Sequence, residues 1–342
     1  MALLHMDGFD YASKPDMQLA GWENSQVFDH RVSIYTSGGR FNGYWVWHNG
    51  NGGGDNSYLF KTFSDKSSIV VGCALYVGYS VRGDLFSLYE DGTIHLTVVR
   101  DTSTGFLKVM RGRALDGAVL QTSNVFVPLN IFNYFELKAT ISDTVGSYEL
   151  RMNGVPVLSA SNVDTKNGGT GVVNRLVFSP LTDQGIDDVY ICDTTGTSCN
   201  DFLGDSRVVV LKPNANGDTI NFTPSTGSNF QCVDEVSQDG DGTRVLGSSA
   251  GNVDLYQFED LTVNPQAIHA VKITSVVKKS DTGLASFSNK IKSGTTTVNG
   301  DTNVLTTAYR LYSTTLEKDP NTNQSWTRSS VDLIQAGIER IE

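Results

Sequence analysis

Charge, proline, cysteine and long apolar runs are all scarce in this chain, and each shortage removes a class of protein. No stretch approaches the length that a membrane-crossing helix needs, so membrane insertion is not expected. Basic residues are outnumbered, 26 Lys and Arg against 37 Asp and Glu, for a net charge of −11 and a pI near 4.9. That balance repels phosphate, so nucleic acid is not an expected partner. Charged residues make up only 18% of the chain, below the usual quarter or so. Its surface must therefore be built from Ser, Thr, Asn and Gly. The four cysteines, Cys73, Cys192, Cys199 and Cys232, lack zinc-type spacing. Cys192 and Cys199 are near enough to bridge a small loop, but reduced thiols in a chain made in a cytoplasm are the simpler expectation. The opening Met1–Asp7 has no basic flank and no long apolar run, so no signal peptide is expected, and export would follow cell lysis.

Catalytic signatures are missing as well. There is no Gly-x-Ser-x-Gly elbow and no phosphate-cradling glycine loop. The histidines, His5, His30, His48, His95 and His269, are scattered without a partner at ligand spacing. Asp239-Gly240-Asp241-Gly242 has the look of a calcium loop but lacks the third oxygen ligand and the distant Glu, and reads better as an acidic turn.

What is abundant is glycine, 34 residues against 8 prolines, set among Thr, Ser, Asn and Asp between short apolar stretches. That mixture predicts many short strands joined by tight turns. Asp91-Gly92 and Asn153-Gly154 each lie between apolar runs and supply the positive φ angles of two-residue hairpins. In Phe135–Ile141 apolar residues alternate with polar ones, so one face should be buried and the other wet. The fold class is all-β: an antiparallel two-sheet sandwich over residues 1–193, a linker over 194–206 and a smaller β-rich module over 207–342. Arg207–Leu211 reads as the module's first strand, and Val304–Leu316 as a late, Thr-rich one. One short helix is drawn at its end, capped by Thr327 or Ser329, with Val331 and Ile334 on one face and Gly337 ending the turn.

Gly39-Arg40-Phe41-Asn42-Gly43, the strand Phe135–Ile141, the Gly146–Gly154 segment and the closing Gly185-Ile186-Asp187-Asp188-Val189-Tyr190-Ile191 together resemble the laminin-G and concanavalin A-like sandwich superfamily, over roughly the first 190 residues. A second resemblance spans the chain. Met6–Asp10, Asp201–Val208, Phe222–Phe230, Val233-Asp234-Glu235 and Asp319–Thr327 are similar to virion proteins of tailed bacteriophages, in which a lectin-like sandwich precedes a smaller β-module. This implies a structural component of a particle, in tail, baseplate or capsid surface, whose partners are copies of itself and other virion proteins.

The sandwich superfamily includes β-glucanases that carry Glu-x-Asp-x-x-Glu on one strand, with carboxylates on one face flanking the scissile bond. Here Glu136 is followed by Lys138 where the second acid belongs, and the adjacent Asp187 and Asp188 point to opposite faces. Enzymatic activity is not expected. No cofactor is expected either. Calcium is the single metal considered, at Asp187, Asp188 and Asp193 on a sandwich rim, as in some laminin-G relatives; the alternative is that one Asp bonds backbone amides. Tyr44-Trp45-Val46-Trp47-His48 runs into the Asn/Gly stretch Asn49–Asn56. By alternation Trp45 and Trp47 share a face. Filling the core is the first expectation for them. The second is contact with a host-surface glycan, with His48, Asn51 and Asp55 taking hydroxyls. An adhesin recognising host polysaccharide is thus the alternative to the particle component, and a glycan-cleaving enzyme the third reading.

Overall fold

The computed structural model describes residues 2–11, 13–24, 32–48, 58–80, 83–178 and 182–342. The chain divides into two units, Met1–Val209 and Val210–Glu342. Unit 1 is an antiparallel β-sandwich. Its first sheet runs, in spatial order, Val155–Val163, Gly146–Met152, Phe132–Thr140, Ser68–Ser80, Thr182–Asp193, Trp45–His48 and Val32–Tyr35, with Leu3–Asp7 also pairing on Thr182–Asp193. The second runs Ala118–Phe126, Phe106–Arg111, Thr93–Arg100, Asp84–Glu90, Val173–Phe178, Leu59–Lys66 and Trp22–Asn24.

Period-two alternation builds the layer between the sheets. Phe135, Leu137 and Ala139 point inward beside Ile69, Val71, Cys73, Leu75 and Val77, against Phe86, Leu88, Leu96 and Val98 of the second sheet, all buried. Each large side chain withdrawn in this way contributes about 1.5–3 kcal/mol. Hairpin chemistry sets the register. Asn153 (φ 51°) and Gly154 (φ 77°) form the two-residue turn joining Gly146–Met152 to Val155–Val163, and Asp91 (φ 49°) opens the turn before Thr93–Arg100.

A short helix at Lys14–Leu19 adds to the one drawn from sequence. Ser13 caps it by accepting the Asp16 amide, and Pro15 sits in its first turn. No disulfide joins the four cysteines; Cys73, Cys192 and Cys232 are buried. Residues 194–209, expected to divide between a linker and a strand, form neither. They belong to unit 1, and Arg207–Leu211 is irregular chain rather than a strand.

Unit 2 holds a sheet ordered Pro213–Ile220, Val253–Phe258, Gln335–Arg340, Ser286–Ser293 and Thr296–Asn299, plus the ribbon Val271–Val277 with Arg310–Leu316. The long strand expected from Val304 is split, since Asn303–Val304 pairs separately on Ser286–Ser293. Asp254 is fully buried because its carboxylate accepts the Asn221 and Phe222 amides, Asn229 Nδ2 and the Tyr256 hydroxyl, each at 2.7–2.8 Å. The C-terminal helix, Arg328–Asp332, is capped by Thr327 and boxed by Ser330.

Gly337 does not end that helix. It lies inside the strand Gln335–Arg340 opposite Leu255, where an added Cβ would sit 2.0 Å from the Asp254 carbonyl oxygen. Gly337→Ala is therefore expected to destabilise unit 2 by about 2–3 kcal/mol. The measurement is the urea midpoint of the Trp326 indole NMR signal, which reports on unit 2 alone.

Candidate functional site

The two tryptophans do not fill the core. In the strand Trp45–His48 it is Val46 and His48 that are buried, and Trp45 and Trp47 stand on the outer side of the first sheet. The alternation is as expected; the choice of face is reversed. Val46 fits the narrow inter-sheet layer, already filled by Leu, Val and Phe, whereas two indoles there would overfill it.

On the outer side the indoles join residues from distant parts of the chain. Register places Phe132, Tyr76, Gly185, Trp47 and Ser33 in one row across five adjacent strands, with Trp45 opposite Tyr35 beside it. The rings form a continuous cluster. Trp45 meets Trp47 edge to face at 5.6 Å, Tyr76 at 5.9 Å and Phe132 at 5.8 Å, while Tyr35 stacks on it at 5.1 Å. Trp47–Tyr76 and Tyr76–Phe132 close the set at 6.0 and 5.6 Å. Gly185 makes this possible: a Cβ there would lie 2.2 Å from the Trp45 ring. Trp45 Nε1 donates to the Ser37 carbonyl at 3.0 Å, which holds the indole in place. With strands about 4.8 Å apart, the row spans on the order of 19 Å. Tyr35 is 47% exposed, and Trp45, Trp47, Tyr76 and Phe132 are part-exposed.

Of the glycan-contact residues expected from sequence, Trp45 and Trp47 belong to this platform. His48 does not, because it is buried on the inner side. Asn51 and Asp55 lie outside the described residues. Tyr35, Tyr76, Phe132 and Gly185 were missed. Tyr76 shares a face of its strand with Gly72, Ala74 and Gly78, and only strand pairing brings it to the tryptophans.

Beside the platform lies a buried ionic cluster. Asp188 accepts Arg40 Nη1 at 3.1 Å and the Val208 amide at 2.8 Å; Asp187 accepts the Arg40 and Asp188 amides. Burial, and then the neighbouring Asp188 charge, hold the Asp187 carboxyl well above the usual carboxylate range. Burial raises Asp188 as well, against the opposing pull of the Val208 amide and Arg40. Asp193 lies five residues further along the strand, roughly 16 Å away, and binds Lys66 and the Thr195 amide and hydroxyl. The three aspartates considered for calcium are thus not brought together, and their oxygens serve amides and cations. Among the described residues no group of three or more His, Cys, Asp or Glu is placed to hold a metal ion.

Asp10 belongs to the same cluster. Burial is the main cause that pushes its carboxyl up to about 6, with the Asp7 and Asp188 charges adding and the Tyr44 amide and Arg207 opposing. A folded-state value above the unfolded one means that stability is fully present below about pH 4 and is lost as pH rises through about 6. Asp10→Asn keeps the acceptor and removes the charge. It is expected to stabilise unit 1 on the order of 1 kcal/mol near neutrality, discounted for partial exposure. The gain should vanish near pH 4, as read by urea unfolding at the two pH values.

Residues 201–208 cross the same sheet face as a strap. Phe202 stacks under the Arg151 guanidinium at 3.8 Å, the Leu203 amide donates to Tyr190 Oη, and the Gly204 amide donates to Glu136 at 2.8 Å. Arg40 closes the strap by donating to the Ser206 carbonyl at 2.8 Å and pairing with Asp205. Glu136, on the side of its strand expected to be wet, is fully buried beneath this strap and bonded to Tyr190 Oη. Glu136, the acid considered for glycan cleavage, is thus withdrawn from solvent and committed to the strap and Tyr190.

No family model and no curated protein matches this sequence. Three of the solved structures similar to it are domain 4 of AbnA, a GH43 extracellular arabinanase from Geobacillus stearothermophilus in complex with arabinotriose (12% identity, TM-score 0.40, 56% of this chain and 92% of that one), the carbohydrate-binding module CBM66 from Bacillus subtilis (11%, 0.34, 51% and 96%) and the cellulose-induced protein Cip1 (16%, 0.37, 52% and 93%). At such identities and scores these likenesses assign no ligand to the chain.

Proposed function

We propose that unit 1 binds carbohydrate on its outer aromatic platform. The observation that carries this reading is the part-exposure of Trp45 and Trp47 on the outer side, locked with Tyr35, Tyr76 and Phe132 into one ring cluster over Gly185. A sandwich does not need these rings for its core, and a soluble chain keeps an aromatic row in water for contact with something. Sugar rings present flat C–H faces that suit indoles and phenols, while their hydroxyls remain hydrated or bond nearby polar groups. The net charge of −11 disfavours polyanions, so the expected ligand is a neutral polysaccharide. Affinity electrophoresis against neutral and anionic polysaccharides tests this. Retardation by at least one neutral polymer is expected, and a folded protein that migrates freely in all of them would refute it.

A second reading, the particle component, is supported by the strand Ala118–Phe126. Its nine residues carry no charge and form a sheet edge with Val119 54% and Phe126 55% exposed. Edges of this kind invite pairing with another chain. On this reading copies of the protein, or other virion proteins, cover that edge, and a glycan-binding platform faces the host. Native mass spectrometry decides it: an assembled species is expected, and a strict monomer at every concentration would count against it.

A further inference from the structure

We infer that unit 2 carries a binding site of its own, a cleft for a neutral, methyl-bearing saccharide. The cleft has a volume of about 560 Å³ and is bordered by Asp218, Lys292, the 319–325 loop, the Thr327–Ser330 turn and Gln335. That volume is within the range of small-molecule sites.

Two features make it more than a surface dip. Two amide groups are held by their carbonyl ends. Gln335 Oε1 accepts the Asp218 amide at 2.8 Å, and Asn321 Oδ1 accepts the Thr296 hydroxyl at 3.1 Å. The Gln335 NH2 is turned to the Asp218 carboxylate, while that of Asn321 remains a donor of fixed position, so little rotamer entropy is lost when a ligand oxygen takes it. Gly294 (φ 54°) allows the second arrangement, since a Cβ there would lie 2.7 Å from the Asn321 amide nitrogen. The loop that presents Asn321 is itself braced from beneath: Asp319, only 3% exposed, accepts the Asn321 amide at 2.9 Å and the Thr322 hydroxyl.

The second feature is charge. The charged groups of the lining are one lysine and two aspartates, and Lys292 is paired with Asp218 while Asp319 is occupied by its own loop. An anion would meet a net negative lining and no uncommitted cation, and a metal ion no free carboxylate. What is offered instead is the Asn321 amide donor, hydroxyls such as Ser325 and Ser329, and one apolar spot, Leu333, 74% exposed. Hydroxyl-rich ligands without charge match the donors, and a methyl group, as in an N-acetyl or deoxy sugar, matches Leu333. Nothing in this site depends on the platform of unit 1.

The test uses the full-length chain carrying Trp45→Ala and Trp47→Ala, so that the platform cannot contribute, with 13C-methyl-labelled leucine and the Leu333 signal identified by Leu333→Met. N-acetylglucosamine, glucose and glucuronate are titrated separately. A saturable Leu333 shift with N-acetylglucosamine is expected, with glucuronate at least about fivefold weaker. Asn321→Ala and Asn321→Asp should each lose about fivefold in affinity, the worth of one hydrogen bond. A flat Leu333 signal with both neutral sugars in the folded protein would overturn the inference. So would equal binding of glucuronate, or full affinity in Asn321→Asp, which keeps the shape and removes the donor.

Discussion

Trp47→Ala is expected to lower the affinity of unit 1 for the proposed neutral polysaccharide by about thirtyfold or more, while leaving the fold intact. The size follows from the position of the side chain. Trp47 lies within the ring cluster, in contact with Tyr76 at 6.0 Å and Trp45 at 5.6 Å, whereas Tyr35 stacks on Trp45 at its border. Central aromatic anchors of an interface cost about 2 kcal/mol or more when truncated, which is that factor. The fold is spared because the indole is on the outer side and the layer beneath it is built by Val46 and Ile186. Tyr35→Ala, at the edge of the row, should cost less than fivefold, since rim contacts contribute little. Titration calorimetry with the polymer selected by electrophoresis measures both. Equal losses at the centre and the edge would mean that ligand does not lie along this row.

Arg40→Ala is expected to be the most damaging single substitution on the face of the sandwich, at about 3–5 kcal/mol of unit 1 stability. Arg40 is the cation that sits between Asp188, 3% exposed, and the strap, and removing it leaves a buried carboxylate without its partner. It also takes away the contacts with Tyr134 and Phe41, each 4.8 Å from the guanidinium. Arg40→Lys should recover only part of the loss. One ammonium cannot serve Asp188, Asp205 and the Ser206 carbonyl together. Urea unfolding gives the magnitude, and limited proteolysis should find new cleavage near Leu203 as the strap loosens. A loss below about 1 kcal/mol would show that the cluster is not a latch.

The sandwich was legible because its determinants are local. Alternation in Phe135–Ile141 and the Asn153-Gly154 turn act through sterics and two-residue periodicity, and both appear where they were read. The platform was legible only in half. Periodicity puts Trp45 and Trp47 on one face but cannot say which face points inward. That depends on the volume left between the sheets, set by Phe86, Phe135 and other residues far away in sequence. Tyr76 and Phe132 enter through strand pairing, which leaves no mark in either segment. Residues 194–206 were read as a linker because they lack an apolar period. Their attachment is made by the Leu203 and Gly204 backbone amides to Tyr190 and Glu136 instead, a kind of bond that any sequence can supply. Gly337 misled for a related reason. Glycine after a short helix resembles a stop, yet here it answers the close approach of the Asp254 carbonyl.

The chain has four tryptophans, and their places in the fold supply an internal control. Trp22 and Trp326 are buried, while Trp45 and Trp47 stand on the platform. Indole N–H spectra recorded during a polysaccharide titration compare all four at once. The account predicts that the Trp45 and Trp47 signals move together and saturate, while that of Trp22, buried in the same unit, stays fixed. Ligand that binds without disturbing the first two would contradict it outright.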